Sequence, residues 1–269
     1  MRIIYFTDPI CSACWMVEPQ IRKLLIEYSE HIRLEHHMGG LLPSWDAFKS
    51  GSITKPSDVA HHWDQMGTHY GMPIDGEVWL TDPLPSSYPA CMAFKAAELQ
   101  GVEKAERFLR RIREMVMLEK TNIARPENLR QAALESGIDM VRFDADYNSS
   151  AQQLFRQDLQ LCAQFRVQGF PSMFFVDDAS NKILVYGARP YGEYEAAVKK
   201  LAPSAEKKEP PSAEQLFDRY STLTTKEFSM IKGVLMPEAD RMLSVLAEKG
   251  IVKRQPVKNG VLWKNARVN

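Results

Sequence analysis

No apolar run in this 269-residue chain approaches the 18 or more residues that a membrane-spanning helix needs, which excludes an integral helical membrane protein. Only 4 cysteines are present, too few for the disulfide framework of a small secreted scaffold, so any thiol chemistry is local. Net charge is also missing. Thirty-four basic side chains balance 34 acidic ones, and the whole molecule gives no electrostatic signal for nucleic acid or a membrane surface. The opening residues Met1 to Phe6 lack a basic segment followed by an apolar stretch and a small-residue cleavage site, and read as a β-strand instead of an export signal; the expected location is cytoplasmic. There is no internal repeat. A 45% hydrophobic fraction excludes wholesale disorder.

What is present is ordered. A strand near Arg2 to Thr7 runs into Asp8-Pro9-Ile10-Cys11-Ser12-Ala13-Cys14-Trp15, and a helical pattern from Ser12 to Ser29 follows, with Pro19 expected to kink it or mark its early part. Ile32 to Met38 reads as the next strand. The chain is then mostly helical to Gln168, with Gly71 to Pro89, which holds four prolines, read as a surface loop. Gly169-Phe170-Pro171-Ser172 opens a strand to Val176, Ile183 to Gly187 is its hairpin partner, and Tyr194 to Leu201 is a closing helix. This is an α/β pattern: β-α-β, a helical insertion over about 41–168, then β-β-α.

Residues 202–213 (APSAEKKEPPSA) read as a linker and domain boundary after a first domain of 1–201. In 214–269, three short helices (Glu214 to Ser221, Thr225 to Lys232, Pro237 to Lys249) precede a hairpin about Lys258-Asn259-Gly260, the composition of a winged-helix-like domain. From Ala213 onward there are ten basic and six acidic residues, a tail of +4 on a body of −4. Glu238 and Asp240 occupy the third helix where base-reading residues would sit, so nucleic acid is not the expected partner.

The sharpest motif is Cys11-Ser12-Ala13-Cys14 at a strand-to-helix turn. At a helix amino end the Cys11 thiolate meets unpaired N–H groups, and Cys14, one turn on, is placed to resolve a mixed disulfide. Pro171 is expected as the cis-proline facing the pair. Half a zinc site is the alternative, but no second CxxC exists, and Cys91 and Cys162 lie in apolar helical segments as core residues. All six histidines fall between His31 and His69; they show no metal-ligand spacing and read as solvated or packing residues. No metal or cofactor is expected.

The CxxC, helical insertion and later proline together resemble the DsbA branch of the thioredoxin superfamily. Asp8-Pro9-Ile10-Cys11 through Cys14-Trp15 with Glu18-Pro19, Asp75-Gly76-Glu77-Val78-Trp79, Ala93-Phe94-Lys95-Ala96-Ala97-Glu98-Leu99-Gln100-Gly101 and Leu262-Trp263-Lys264 resemble more closely the SpxH (YjbH) family. The likeness spans nearly the whole chain. It implies an adapter that binds the transcription regulator Spx and promotes its degradation by ClpXP, without itself cutting anything, in a system of regulated proteolysis tied to disulfide stress. Spx is itself thioredoxin-like, so a fold-to-fold interface is expected, with Trp15, Phe170, Lys253, Arg254, Trp263 and Lys264 as candidate partner contacts. Family members carry proline after the first cysteine where this chain has Ser12, and some begin with a His/Cys-rich extension that this sequence does not show. The alternative function, from the residues themselves, is a cytosolic thiol-disulfide oxidoreductase using Cys11 and Cys14.

Overall fold

The computed structural model describes residues 1–48 and 51–267. The chain opens with β1 (Arg2–Thr7), α1 (Ser12–Met16), α2 (Glu18–Glu27) and β2 (Arg33–Met38). Seven helices follow: α3 (Pro56–Tyr70), α4 (Val78–Thr81), α5 (Tyr88–Glu98), α6 (Val102–Leu118), α7 (Pro126–Glu135), α8 (Met140–Tyr147) and α9 (Ser150–Gln164). Then come β3 (Ser172–Val176), β4 (Lys182–Tyr186) and α10 (Tyr191–Leu201). The tail holds α11 (Ala213–Arg219), β5 (Thr222–Thr224), α12 (Thr225–Lys232), α13 (Met236–Glu248), β6 (Val252–Val257) and β7 (Gly260–Asn265).

The first sheet has the order β2-β1-β3-β4, with β1 and β2 parallel and the other pairs antiparallel. Because strand side chains alternate, Ile3 and Tyr5 face α2 and α10, where they pack with Leu24, Met173 and Val198. Ile4 and Phe6 face the other way, against Phe165 and Phe174. The helices of the insertion enclose a third and larger core around Trp15, Trp63, Phe94 and Phe108.

Two sequence expectations change here. The single helix expected over Ser12 to Ser29 is two: the chain breaks at Val17, and Pro19 takes the second of its expected roles, in the first turn of α2, where its missing N–H costs nothing. Nor is Gly71 to Pro89 a surface loop. Met72, Ile74, Val78, Trp79 and Leu84 are all buried, α4 lies within the segment, and Pro89 sits in the first turn of α5. Proline density marked irregular backbone correctly, but the apolar residues between the prolines put that backbone inside.

The tail adds a strand that its helical pattern hid. Three-residue β5 pairs with β7, giving a second sheet of order β5-β7-β6. Thr224 ends that strand and caps α12: its Oγ1 accepts from the Glu227 N–H at 3.2 Å, and the Glu227 carboxylate accepts from the Thr224 N–H at 2.6 Å. Asn259, at φ 60°, makes the tight turn between β6 and β7.

This tail packs directly on the body. Ile26 of α2 belongs to the tail's own apolar core, alongside Phe217, Phe228 and Trp263. Leu262 in turn belongs to the large helical core. At the hairpin tip Lys258 Nζ reaches Asp64 at 2.9 Å and Asp75 at 3.3 Å. Between these contacts lies a buried charge cluster. Arg110 on α6 grips Glu227 with two parallel bonds of 2.8 and 3.0 Å, Arg22 on α2 reaches the same carboxylate at 3.2 Å, and Arg22 Nη1 donates to the Thr222 carbonyl at 2.7 Å. The 202–213 segment is pinned as well: the Lys208 N–H donates to the Glu27 carbonyl at 2.8 Å.

Candidate functional site: a buried thiol pair over a charge cluster

The site begins at Asp8. Fully buried, its carboxylate accepts from the N–H groups of Ile10 (3.0 Å) and Leu41 (2.7 Å), the Ser87 hydroxyl (2.9 Å) and the Cys91 thiol (3.4 Å). It therefore fixes the turn that delivers Cys11 to the start of α1 and ties it to the loop after β2. Burial, partly offset by these donors, still raises its pKa. Cys91 is thus more than filling for a core: it touches the acid that shapes the site, and burial pushes its thiol well up, which disfavours the thiolate. Cys162, half-buried, is pushed up to about 12 by burial.

Cys11 Sγ accepts from the Cys14 N–H at 3.2 Å and lies 3.6 Å from the Phe170 carbonyl. The Phe170–Pro171 peptide bond is cis, and Pro171 leads into β3 directly across from the pair. Cys11 retains 5% exposure whereas Cys14 has none, so attack by or on a sulfur from outside starts at Cys11. A groove of about 490 Å³ opens above it, lined in part by Leu41, Trp45, Phe48, Phe170 and Tyr186.

Cys11 and Cys14 share one buried environment and titrate as a pair. Burial pushes the Cys11 thiol well up. Cys14 is also opposed by burial, yet the hydrogen bond from Cys11, the Arg113 charge and the Thr7 hydroxyl bring it below the ordinary thiol value. Helix α1 is only five residues long and offers a small dipole, so the Arg113 guanidinium is the full positive charge that acts on the pair. Arg113, 1% exposed, donates from Nη2 to Thr7 Oγ1 at 2.6 Å and from Nη1 to Glu18. Tyr5 Oη and Arg113 Nε, both buried and near this centre, find no hydrogen-bond partner among the described residues.

Sequence reasoning missed Arg113. A signal existed, since Arg113 falls four residues after Leu109 and three before Val116, on the stripe that the helix buries. Glu227 was legible too, as the fourth residue of the capping box Thr224-Thr225-Lys226-Glu227.

Trp15 and Trp263 are corrected as partner contacts: neither has any exposed surface. The Trp15 indole donates to the Pro73 carbonyl at 2.8 Å under the Arg110 guanidinium, and the Trp263 indole donates to Thr225 Oγ1 at 2.9 Å. Phe170 is partly buried beside the thiols, while Lys253 and Arg254 on β6 are exposed and Lys264 is half-buried. Two histidines are structural and two are solvated: His37 bonds Asp158 at 2.7 Å, burial with the Arg113 charge pushes His36 down to about 3, and His61 and His69 are exposed. Among the described residues no cluster of His, Cys, Asp and Glu could hold a metal, and no helix is long and apolar enough to cross a membrane.

Phe170 owes its seat to Gly39. A Cβ added at Gly39 would lie 1.9 Å from the Phe170 ring, so Gly39→Ala must drive the ring off the pair. Its expected cost is about 1–3 kcal/mol of stability, with faster alkylation of Cys11 by iodoacetamide. Unchanged stability and alkylation rate would refute this role for the glycine.

A family model described as Thioredoxin matches residues 5–196. The ClpXP adapter protein SpxH of Halalkalibacterium halodurans is 33% identical over 270 residues, covering 98% of this chain and 88% of that protein. Its namesake from Bacillus subtilis is 29% identical, covering 98% and 89%. Among solved structures, a putative protein disulfide isomerase from Nitrosomonas europaea is 25% identical with a TM-score of 0.63, covering 76% of this chain and 96% of that one. The cytosolic disulfide reductase DsbM of Pseudomonas aeruginosa, 21% identical with a TM-score of 0.61 and covering 75% and 100%, shares the fold. The structural likenesses cover about three quarters of this chain, whereas the sequence likeness runs through the tail as well. A CxxC and a cis-proline on a DsbA-like thioredoxin fold, with a tail shared along the full sequence, place this chain in the SpxH family of ClpXP adapter proteins.

Proposed function

We propose that this protein is a cytoplasmic adapter that binds a Spx-like transcription regulator and presents it to ClpXP, itself cutting nothing. The observation that carries the reading is the tail: it is shared along the full length with the SpxH adapters and locked to the body through Arg22, Arg110 and Glu227, so two binding faces are held at a fixed relative position. A rigid pair of faces suits presentation, because little orienting entropy is left for the complex to lose.

We assign residues 1–201 to a DsbA-like domain, 202–213 to a linker and 214–269 to a winged-helix-like domain; the order helix, strand, helix, helix and hairpin supports the last assignment. Lys253, Arg254 and Lys264 of the hairpin would meet an acidic surface of the regulator, and Phe170 beside the CxxC groove a second contact. With purified ClpXP and Spx, the protein is expected to accelerate Spx loss, and Cys11→Ala/Cys14→Ala to preserve that acceleration. Replacing Lys253 and Arg254 together by alanine should slow association and blunt its salt dependence, as for rim charges. No change in degradation rate on adding the intact protein would end the adapter reading.

A second reading, thiol-disulfide oxidoreductase, draws support from the groove above Cys11 and from Cys14 directly behind it, whose N–H donates to the Cys11 sulfur. It requires catalytic reduction of insulin disulfides that Cys11→Ala abolishes.

A further inference from the structure

Two sheets have four edges, and among the described residues three of them are guarded against a further strand. β2 carries Arg33 and Glu35, and Asp158 of α9 holds its end by accepting from the Met38 N–H at 2.8 Å. β5 is three residues long, and Arg22 occupies its Thr222 carbonyl. β6 contains Pro256 beside the exposed charges of Lys253 and Arg254. β4 is the fourth edge, with no proline and a single charge, Lys182. Just outside it, the Asp177 N–H donates to the Asn181 carbonyl at 3.2 Å and the Gly187 N–H to the Pro171 carbonyl at 2.8 Å. Odd-numbered residues of β4 therefore turn their backbone groups toward β3, and Lys182, Leu184 and Tyr186 turn theirs outward. Of these outward groups only the Tyr186 carbonyl is engaged, by the Arg189 guanidinium at 2.9 Å. The side chains of the same residues form an apolar surface: Leu184 is 50% and Tyr186 47% exposed, next to half-buried Phe174.

We propose that β4 docks a second copy of this chain, the two strands running antiparallel about a two-fold axis at Leu184. In that register Leu184 faces Leu184, and at either end Lys182 faces Tyr186 of the second copy. The three outward N–H groups of each strand then meet the three outward carbonyls of the other, and the Tyr186 carbonyl has a second lone pair besides the one that Arg189 uses. A slip of one residue would set outward groups against residues whose backbone points at β3, and the ladder would be lost. Centring the axis on Lys182 would bring like charges face to face. About Leu184 no like charges meet. The Lys182 ammonium, which already lies 5.0 Å from the Phe165 ring, gains the Tyr186 ring of the second copy, and the two leucines cover each other. Such a pair uses up both edges and closes at two copies. An edge of five residues buries less than a standard interface, so the pair is weak and forms at high concentration. Tyr186 also lines the groove above Cys11, which places the second copy at the border of that groove. The pairing needs no other protein and is separable from the adapter reading.

Sedimentation equilibrium on the full chain, from low micromolar to near-millimolar concentrations, tests it. The data are expected to fit a monomer and a dimer and nothing larger. Leu184→Lys and Leu184→Glu, at an exposed position and each checked for parent-like circular dichroism, put like charges on the axis and should weaken the dimer about tenfold. Mixed one to one, the two variants should pair again, because the axis then sets a lysine opposite a glutamate. General damage to the fold would not be repaired by mixing. A parent that stays monomeric throughout overturns the proposal, as does one that grows into larger assemblies. So does a dimer that Leu184→Lys leaves intact, or one that mixing fails to restore. A monomeric parent whose Leu184→Lys variant loses binding to purified Spx would give this edge to the regulator and overturn the pairing as well.

Discussion

Replacing Glu227 with alanine is expected to lower the unfolding free energy by about 3–5 kcal/mol, the cost of leaving buried charge without its partner. Arg110 and Arg22 both direct N–H groups at this carboxylate, which has no exposed surface, and would be left with Glu114 and Glu18 as their remaining acidic partners. The Thr224 N–H loses its acceptor as well, and with it half of the α12 cap. Urea titration followed by circular dichroism measures the loss. Removing both sides, with Arg110→Met added to Glu227→Leu, should recover a large part of it, because the desolvation cost leaves together with the attraction. A Glu227→Ala variant as stable as the parent would mean that the cluster is solvated and does not fix the tail.

The same carboxylate sets a pH limit. Burial alone would raise its pKa, but the Arg110 and Arg22 charges outweigh burial and hold it below the ordinary carboxylate value. A depressed pKa in the folded state contributes stability that is fully present above the unfolded value of about 4.3 and is lost as pH falls through the folded one. Tail docking is therefore expected to weaken in acid below that point, and Glu227→Gln to flatten that part of the stability profile.

Trp263→Ala is expected to cost about 3–5 kcal/mol, which for a chain of this size lowers the melting temperature by roughly 6–20 °C. Trp263 fills the tail core between Phe228 and Leu243, and its indole satisfies Thr225 at the first turn of α12. Lys253→Ala and Arg254→Ala, at exposed positions on β6, should each stay within about 0.5 kcal/mol of the parent. Thermal melts of the three variants separate the residues that build the tail from those left to face a partner. If the lysine or arginine variant melted as early as the tryptophan one, the hairpin surface would have a structural duty that its exposure hides.

How legible the molecule was depended on the range of the interaction. Periodicity and turn chemistry act over a few residues, so β1, β2, the β3–β4 pair and the hairpin about Asn259 stood out in the sequence, as did the CxxC at a strand-to-helix turn. Three-residue β5 did not: its evidence is a pairing with β7 some forty residues away. Gly71 to Pro89 looked exposed because prolines report local backbone and say nothing of what packs over it. Trp15 and Trp263 looked like surface anchors because the chemistry that suits an interface equally suits a core.

By itself, then, the sequence determined the order of the longer elements, the placement of Cys11, Cys14 and Pro171, and the acidic body and basic tail that hide within a net charge of zero. Only the tertiary structure decided that an arginine from α6 lies beneath the thiols, and that Arg22 and Arg110 clasp a glutamate more than a hundred residues further along the chain. Charges interact through space and acquire their strength from burial, and neither distance nor burial is written in the spacing of residues along a chain.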